Sequence, residues 1–489
     1  MVKSNSLPFR VPAGYQGPKR SLILAGGGMR LAYQAGVLKA LEEHGLCFHH
    51  ADGTSGGIFN VAMLLSGLTT DQICQNWRTL RIKDFVSYFP FKEYLNPFRL
   101  MAFGDADGLL HKVFPHLGIN ITKINTEPDI TGTFNVCNYS YKINEAIPHQ
   151  QVSLSHLIAG VSLPIFMPAV QINNDWYIDA VWIKDANLME AIKRGAEEIW
   201  LVWAIGNEHQ YRKGSFNQYV HMIEMSANGA LFAEFDYLNE LNNRIRKGDS
   251  PYGQKNLIQL HIVKPEYPLP LDTDLYFNKI NTTTLIDLGY ADAKNYLLNN
   301  RKNPAAPSPH STKMKSPGVG FSLRFKLTGN LFNQITTIHL SLTLPDIAIF
   351  MQTEEPYQLA ANIYLSQQSR FCYGYNGTFF TKNNADQTNK QVEFGFQVQV
   401  EDQKYYLRGQ VDLNADRLHK YQIPISLYQG ASTAGTLLST TIFTITPADY
   451  KYFRKSLQFY HTPNWWAKRK ASRALQNYFL TYKQMRFTL

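Results

Sequence analysis

Cysteine is scarce in this chain. The four present, Cys47, Cys74, Cys137 and Cys372, show neither close pairing nor the spacing of metal ligands. That pattern argues against a disulfide framework and a zinc site, and it fits a reducing, cytoplasmic compartment. No metal or other cofactor is expected. Long apolar runs are missing too: no stretch reaches the ~18 residues needed to cross a bilayer. The opening "MVKSNSLPFRVPAGYQGPKR" lacks the apolar core of a signal peptide. Acid is absent from the tail. From Lys451 onward there are nine lysines and arginines and no Asp or Glu, which accounts for nearly all of the net charge of +10. The remainder is close to neutral, so no general nucleic-acid surface is implied.

A length of 489 residues exceeds what one core usually serves, and the 44% apolar fraction is ordinary for a globular protein. From Arg20 to about Asn300, apolar runs alternate with helical patterns. "SLILA" (21–25), "EEIWLVWAI" (197–205) and "LIQLHIV" (257–263) read as buried strands, with helices such as 33–43 and 189–194 between them. This alternation predicts a three-layer α/β domain with a mostly parallel central sheet. "RKNPAAPSPHSTKMKSPG" (301–318) has four prolines and no periodicity, the composition of a linker. Beyond it the period becomes two. Ile338, Leu340, Leu342 and Leu344 alternate with His339, Ser341 and Thr343, and Val392 to Val400 repeats the pattern. Strands with one solvated face follow, and a β-rich, sandwich-like domain. The expected divisions are an N-terminal segment 1–19, the α/β domain 20–300, a linker 301–319, the β-rich domain 320–446, and a basic aromatic segment 447–489.

Two glycine clusters interrupt the first domain. "LILAGGGMRLAYQAGVLKALEEHG" (22–45) runs from a strand through Gly26, Gly27 and Gly28 into a helix. A helix start approached through glycines favours an anion. The dinucleotide fingerprint needs a third glycine where Leu31 stands, and no G-K-[ST] follows for a P-loop. The second cluster, Gly53-Thr54-Ser55-Gly56-Gly57, is a G-x-S-x-G between an extended segment and the apolar helical run 58–65. That is the setting of a nucleophile elbow, where flanking glycines let a serine occupy a strained turn at a helix start. The bland alternative is an N-cap serine in a glycine turn.

A serine hydroxyl needs a base. His111, His116, His149, His156 and His261 show no distinguishing context, and at most one of His49 and His50 can face the elbow, since adjoining strand positions point apart. The other candidate is a carboxylate. "NNDWYIDAVWIKDAN" places Asp179 at the end of a strand, 124 residues after Ser55. Burial can raise a carboxyl's pKa into the range of a working base. Asp175 beside two asparagines reads as a hairpin residue and Asp185 as a loop or helix-start residue.

Together these stretches resemble the patatin-like phospholipases, whose pattern is G-G-G-x-[RK]-G, then G-x-S-x-G, then an aspartate in a D-G-[GA] turn. The matches are Gly26-Gly27-Gly28-Met29-Arg30, Gly53 to Gly57 around Ser55, and Asp179. "GVSLPIFMPAV" (160–170) and "IDLGYADAKNYL" (286–297) are similar to further parts of such domains. The resemblance implies a serine lipid acyl hydrolase of phospholipase A or lysophospholipase type. Ser55 would be nucleophile, Asp179 base, and the glycine turn an oxyanion hole to which Arg30 adds positive potential or a tie. Phospholipid or another acyl lipid would be the substrate. Two departures stand out. Leu31 occupies a family glycine, expected to reshape helix packing, and Ala180-Val181 follow the aspartate, expected to alter its pose. A patatin-like scaffold without activity, acting as a lipid- or protein-binding module, is the alternative.

"NWWAKRKASRALQNYFLTYKQMRF" reads as a helix capped by Asn464. Ala467, Ala471, Ala474, Leu475, Tyr478, Phe479 and Tyr482 form one stripe. Lys468, Arg469, Lys470 and Arg473 lie beside Trp465 and Trp466. Such a helix suits an anionic membrane surface or, equally, docks on the protein itself. Peripheral membrane association is expected, and the β-rich domain offers a surface for a protein partner.

Overall fold

All five residues of "RSLIL" are buried in strand β1 (Arg20–Leu24). Its one charged residue is paired, with Arg20 Nε donating to Glu198 Oε2 at 2.8 Å. The computed structural model describes residues 7–85, 87, 102–207, 211–269, 282–299, 304, 306–383, 390–412, 422–460, 462 and 465–480. In it the chain forms two compact units, Met1–Ser316 and Pro317–Leu489.

The first unit is built on an eight-stranded sheet. Its strands are β1, β2 (His50–Thr54), β3 (Thr131–Asn138), β4 (Ile143–Pro148), β5 (Val170–Ile172), β6 (Asp175–Asp179), β7 (Glu198–Val202) and β8 (Gln259–Val263). The order β3-β2-β1-β7-β8 is parallel throughout. β4, β5 and β6 add antiparallel pairings at the β3 side. The expected buried strands are β1, β7 and β8, and the expected α/β architecture is present. β5 and β6 make a hairpin around Asn173 and Asn174. Asn173 takes the positive φ of 55° that such a tight turn requires, and Asp175 is the first residue of β6, as its asparagine neighbours suggest.

Helices α1 (Ala32–Glu43), α2 (Gly57–Leu65), α3 (Ser215–Arg246) and α4 (Thr282–Asn299) belong to this unit. α1 is buried from Ala32 to Leu41, more than an amphipathic helix allows, because α4 covers it closely. The approach depends on two glycines. A Cβ on Gly36 would lie 1.9 Å from the Ile286 carbonyl oxygen, and one on Gly289 would lie 1.9 Å from that of Tyr33.

The proline-rich segment does not run free between the units. Met314 is buried in the core beneath β7 and α3 and its N–H donates to Asn207 O, while Thr312 Oγ1 donates to Asn228 Oδ1. Low periodicity reported the absence of regular structure there, and contacts are made all the same.

In the second unit the strands are β9 (Gly320–Leu331), β10 (Gln334–Leu344), β11 (Tyr357–Leu365), β12 (Arg370–Asn383), β13 (Lys390–Val400), β14 (Gln403–Asp412), β15 (Gln422–Gln429) and β16 (Thr436–Thr444). Each pairs antiparallel with the next, and β16 returns to β9, so the β-rich, sandwich-like unit is one sheet closed into an eight-strand barrel. Ile338, Leu340, Leu342 and Leu344 point into its filled interior, as do Phe394, Phe396 and Val398. Closure removes free sheet edges. A short strand, β17 (Gln458–Tyr460), adds to β9.

A side chain at the α1–α4 crossing has nowhere to go without moving backbone. Gly289→Ala is expected to lower the unfolding free energy by about 1–3 kcal/mol, measured by chemical denaturation; an unchanged midpoint would contradict the close approach.

Candidate active site

β2 ends at Thr54 and α2 begins at Gly57, leaving Ser55 and Gly56 to turn the chain. Ser55 takes φ 51°, a left-handed conformation that side chains rarely adopt and that marks stored strain. The flanking glycines are required by space. A Cβ on Gly57 would sit 2.0 Å from Leu24 O, and one on Gly53 3.0 Å from a Val61 methyl.

Strand register brings the second residue to this turn. β3 pairs Asn135 with Thr54 of β2, and its next residue, Val136, pairs with Asp179 of β6. The residue after Thr54 and the last residue of β6 therefore meet. Ser55 Oγ donates to Asp179 Oδ2 at 2.6 Å, and the Val181 N–H donates to Asp179 Oδ1 at 2.9 Å. Asp179 is 1% exposed. Burial pushes its carboxyl from 3.8 up to about 7, against the opposing effect of those two hydrogen bonds.

The glycine turn lies beside them. Gly27 has φ 155° and Gly28 φ 58°, and a Cβ on Gly27 would stand 3.0 Å from the Ala204 methyl. Arg30 ties the turn: its Nε donates to Gly27 O at 2.8 Å. The Gly26 N–H is engaged by Asp185, at 3.1 Å from both carboxyl oxygens. That bond commits the Gly26 amide to Asp185. A buried chain of side chains backs the turn. Trp77 Nε1 donates to Asn60 Oδ1, Asn60 Nδ2 to Gln34 Oε1 and Leu31 O, and Gln34 Nε2 to Ala25 O.

Residues 22–192 match the patatin-like phospholipase family. No curated protein matches the sequence. Among solved structures the chain is similar to VipD from Legionella pneumophila, at 12% identity and a TM-score of 0.32, over 61% of this chain and 71% of that one. At that distance the likeness says nothing about either unit.

Both departures from the patatin-like pattern are accommodated. Leu31 has φ −71°, so no glycine is needed there for backbone reasons, and its side chain is fully buried over Gly56. A Cβ on Gly56 would lie 2.2 Å from Leu31 Cδ1, so the leucine takes the room that Gly56 leaves. Ala180 and Val181 begin a 3₁₀ turn without positive φ. The contact that orients Asp179 comes from the Val181 backbone, which any non-proline residue supplies.

Most of the histidines weighed from the sequence have other partners. His49 Nδ1 accepts from Arg20 N–H, His50 bonds Ser21 and Thr133, and His116 bonds Thr79 and Asn76 O. His149 accepts from Gly132 N–H, His156 bonds Ser153, and His261 stacks on Trp200. His111 is exposed. Sequence reasoning missed the polar network that joins the strands of the site. Asn135 donates to Asp52 at 2.6 Å and accepts from Asn144 and Asn187, and Thr133 also donates to Asp52. Burial lifts the Asp52 carboxyl to about 7 against those two donors. No local motif signals these contacts, because each crosses between strands.

An apolar border adjoins Asp179. Its N–H donates to Ser162 O at 3.0 Å, and two residues on Tyr219 donates to Pro164 O at 2.7 Å. Burial and the nearby Asp179 raise the Tyr219 pKa. Next come Ile165, at φ 77°, and Phe166, whose ring meets Phe103, Phe216 and Tyr219. Phe103, Ile165, Phe166 and Phe216 are all exposed.

In the second unit the terminal helix α5 (Trp465–Leu480) forms as expected. Ala471 and Leu475 of its apolar stripe are buried in the barrel core, so this face docks on the protein. Trp465 and Trp466 remain 59% and 69% exposed, with Lys468, Lys470 and Arg473 also exposed and Arg469 over the Trp465 ring. Asn464 and Tyr482 lie outside the described residues.

The raised Asp179 pKa has a stability consequence. The folded protein keeps this proton up to about pH 7, whereas the unfolded chain releases it near 3.8. The contribution to stability is full below the lower value and is lost as pH rises to the upper. Asp179→Asn, neutral throughout, should therefore gain melting temperature relative to wild type across that window. Calorimetry at acidic and mildly alkaline pH checks the sign; a gap that shrinks with rising pH would contradict it.

Proposed function

We propose that the first unit is a serine lipid acyl hydrolase of phospholipase A or lysophospholipase type, acting through Ser55 and Asp179. The 2.6 Å bond from a strained elbow serine to a buried aspartate carries this reading. Asp179 takes the Ser55 proton as Oγ attacks the ester carbonyl of the lipid. The tetrahedral oxyanion is received by the Gly27 and Gly28 amides, a kind of contact worth roughly 2.7–4 kcal/mol per donor. Collapse expels the alcohol, which takes the proton back from Asp179. Water then attacks the acyl-serine as Asp179 accepts its proton, and collapse breaks the bond to Ser55 Oγ, which takes that proton from Asp179 as the fatty acid leaves. A dry carboxyl with pKa near neutrality suits both steps. Arg30 holds the turn through Gly27 O.

The exposed Phe103, Ile165, Phe166 and Phe216 support a substrate with an acyl chain, since they offer apolar surface next to the reacting groups. The indoles of Trp465 and Trp466 with Lys468, Lys470 and Arg473 support peripheral contact with an anionic membrane, and Arg469 steadies the Trp465 ring.

A fluorophosphonate should label the wild-type protein and leave Ser55→Ala unlabelled, with hydrolysis of a phospholipid and lysophospholipid panel lost in parallel. Labelling that survives Ser55→Ala would remove the assignment. Vesicle binding by a wild-type protein that neither labels nor hydrolyses would favour the non-catalytic scaffold. Because the base must be ionised, kcat/KM should rise with pH through an acid limb near 7. Folded Asp179→Asn is expected to lose at least about 10²-fold of the rate; full activity in that variant would exclude the dyad. Replacing Trp465 and Trp466 by serine should weaken sedimentation with anionic vesicles, and unchanged sedimentation would dismiss the helix as a membrane contact.

A further inference from the structure

Asp185 is fully buried, six residues past the proposed base, and is bonded to the glycine turn instead of to Ser55. The intervening chain is tightly held: the Ile183 and Lys184 N–H groups both donate to Ala180 O. Glu234 of α3 grips either side of Asp185, accepting from Lys184 Nζ and from the Leu188 N–H. Asn187 caps the helix that follows. A carboxyl fixed from both flanks can in turn fix what it touches.

What it touches is wedged. A Cβ on Gly26 would lie 2.2 Å from Asp185 Oδ1 and 2.9 Å from Ser55 Cβ, so the carboxyl and the serine both crowd the place a side chain would take. Only a glycine fits beside both groups, and its amide is committed to Asp185. We propose that Asp185 is the positioning residue of the glycine turn: it captures the Gly26 amide and so sets the Gly27 and Gly28 amides in place beside Ser55. This rests on the hydrolase reading above.

The choice of a carboxyl has an electrical consequence. Two charged groups bear on it: Asp179 from the end of β6, and Arg30 from the glycine turn, with its Nε committed to Gly27 O. On α3, Glu234 is paired with Lys184. Burial first, then Asp179, push the Asp185 carboxyl well above its usual range, while the Gly26 amide and Arg30 act in the opposite direction. Neutral, it holds the amide without opposing a negative oxygen near Ser55. Once ionised, it would place a negative charge beside the turn, which works against oxyanion formation.

Asparagine keeps an acceptor oxygen and cannot ionise, and alanine removes the acceptor. The test compares full-length wild type, Asp185→Asn, Asp185→Ala and Ser55→Ala. It reads the rate of fluorophosphonate labelling of Ser55 and kcat and KM on a water-soluble short-chain ester, from acidic to alkaline pH. Folded Asp185→Ala should lose kcat by about 10²-fold with KM little changed, the pattern of a lost transition-state contact. Asp185→Asn should keep kcat within a few fold of wild type, and should not lose rate at any pH where ionisation of Asp185 slows the wild type. Labelling of Asp185→Ala at the wild-type rate, or an asparagine variant as slow as the alanine one, would overturn the proposal. Should the alanine variant fail to fold, Asp185→Asn decides alone: a loss of labelling rate as large as that expected of the alanine variant overturns the proposal, and near-wild-type labelling supports it. A wild type without Ser55-dependent labelling or hydrolysis fails the hydrolase reading itself, a result distinct from either variant outcome.

Discussion

The pairing of two strands with successive residues of β3 governs everything at the candidate site. Thr54 of β2 stands against Asn135 and Asp179 of β6 against Val136, so a serine and an aspartate 124 residues apart come within one hydrogen bond. A slip of one residue would turn the alternating side chains to the opposite face and separate the pair. The register is secured by buried polar contacts: Asn135 reaches Asp52, Asn144 and Asn187, and Thr133 reaches Asp52 and His50. Satisfied polar groups in a core cost little and tolerate few alternative arrangements. This network acts on the site through alignment, without touching Ser55.

Burial then sets the chemistry that alignment makes available. Asp179, Asp185 and Asp52 are all removed from water, and in each case desolvation is the largest cause of a raised pKa. Their donors differ. Asp179 accepts from a hydroxyl and one amide, Asp185 from the Gly26 amide, and Asp52 from a threonine and an asparagine. Three acids of one type thus have three tasks: facing the serine, facing the turn, and joining strands.

Close backbone approach is the second recurring constraint of the first unit. Gly57 lies against Leu24 O, Gly26 against Asp185 and Ser55, and Gly36 and Gly289 at the α1–α4 crossing. Leu31 fits the same logic: a larger side chain replaces one glycine because another, Gly56, yields the space. The barrel of the second unit meets a different demand. Aromatic rings fill the room beside two of its strand glycines, Phe443 at Gly329 and Phe394 at Gly409.

Much of this was readable along the chain. Runs and periods indicated an α/β unit followed by a β-rich one, because burial on two faces or one leaves its mark on every strand. Local motifs singled out Ser55, Asp179 and the glycine turn, since a strained turn needs glycine at short range. Asn60, Gln34, Asn135 and the Asp185–Gly26 bond left no such trace, and neither did the docking of Met314. The stripe that holds Ala471 and Leu475 was legible, though a membrane and the protein's own core served it equally well. Period two likewise called for sheets without saying that one of them closes on itself. The amino-acid order by itself determined which segments are strands, helices and strained turns, as those follow from neighbours a few residues away. Which side chains meet was decided only by the tertiary structure, because pairing register, closure and burial depend on residues far apart in the chain.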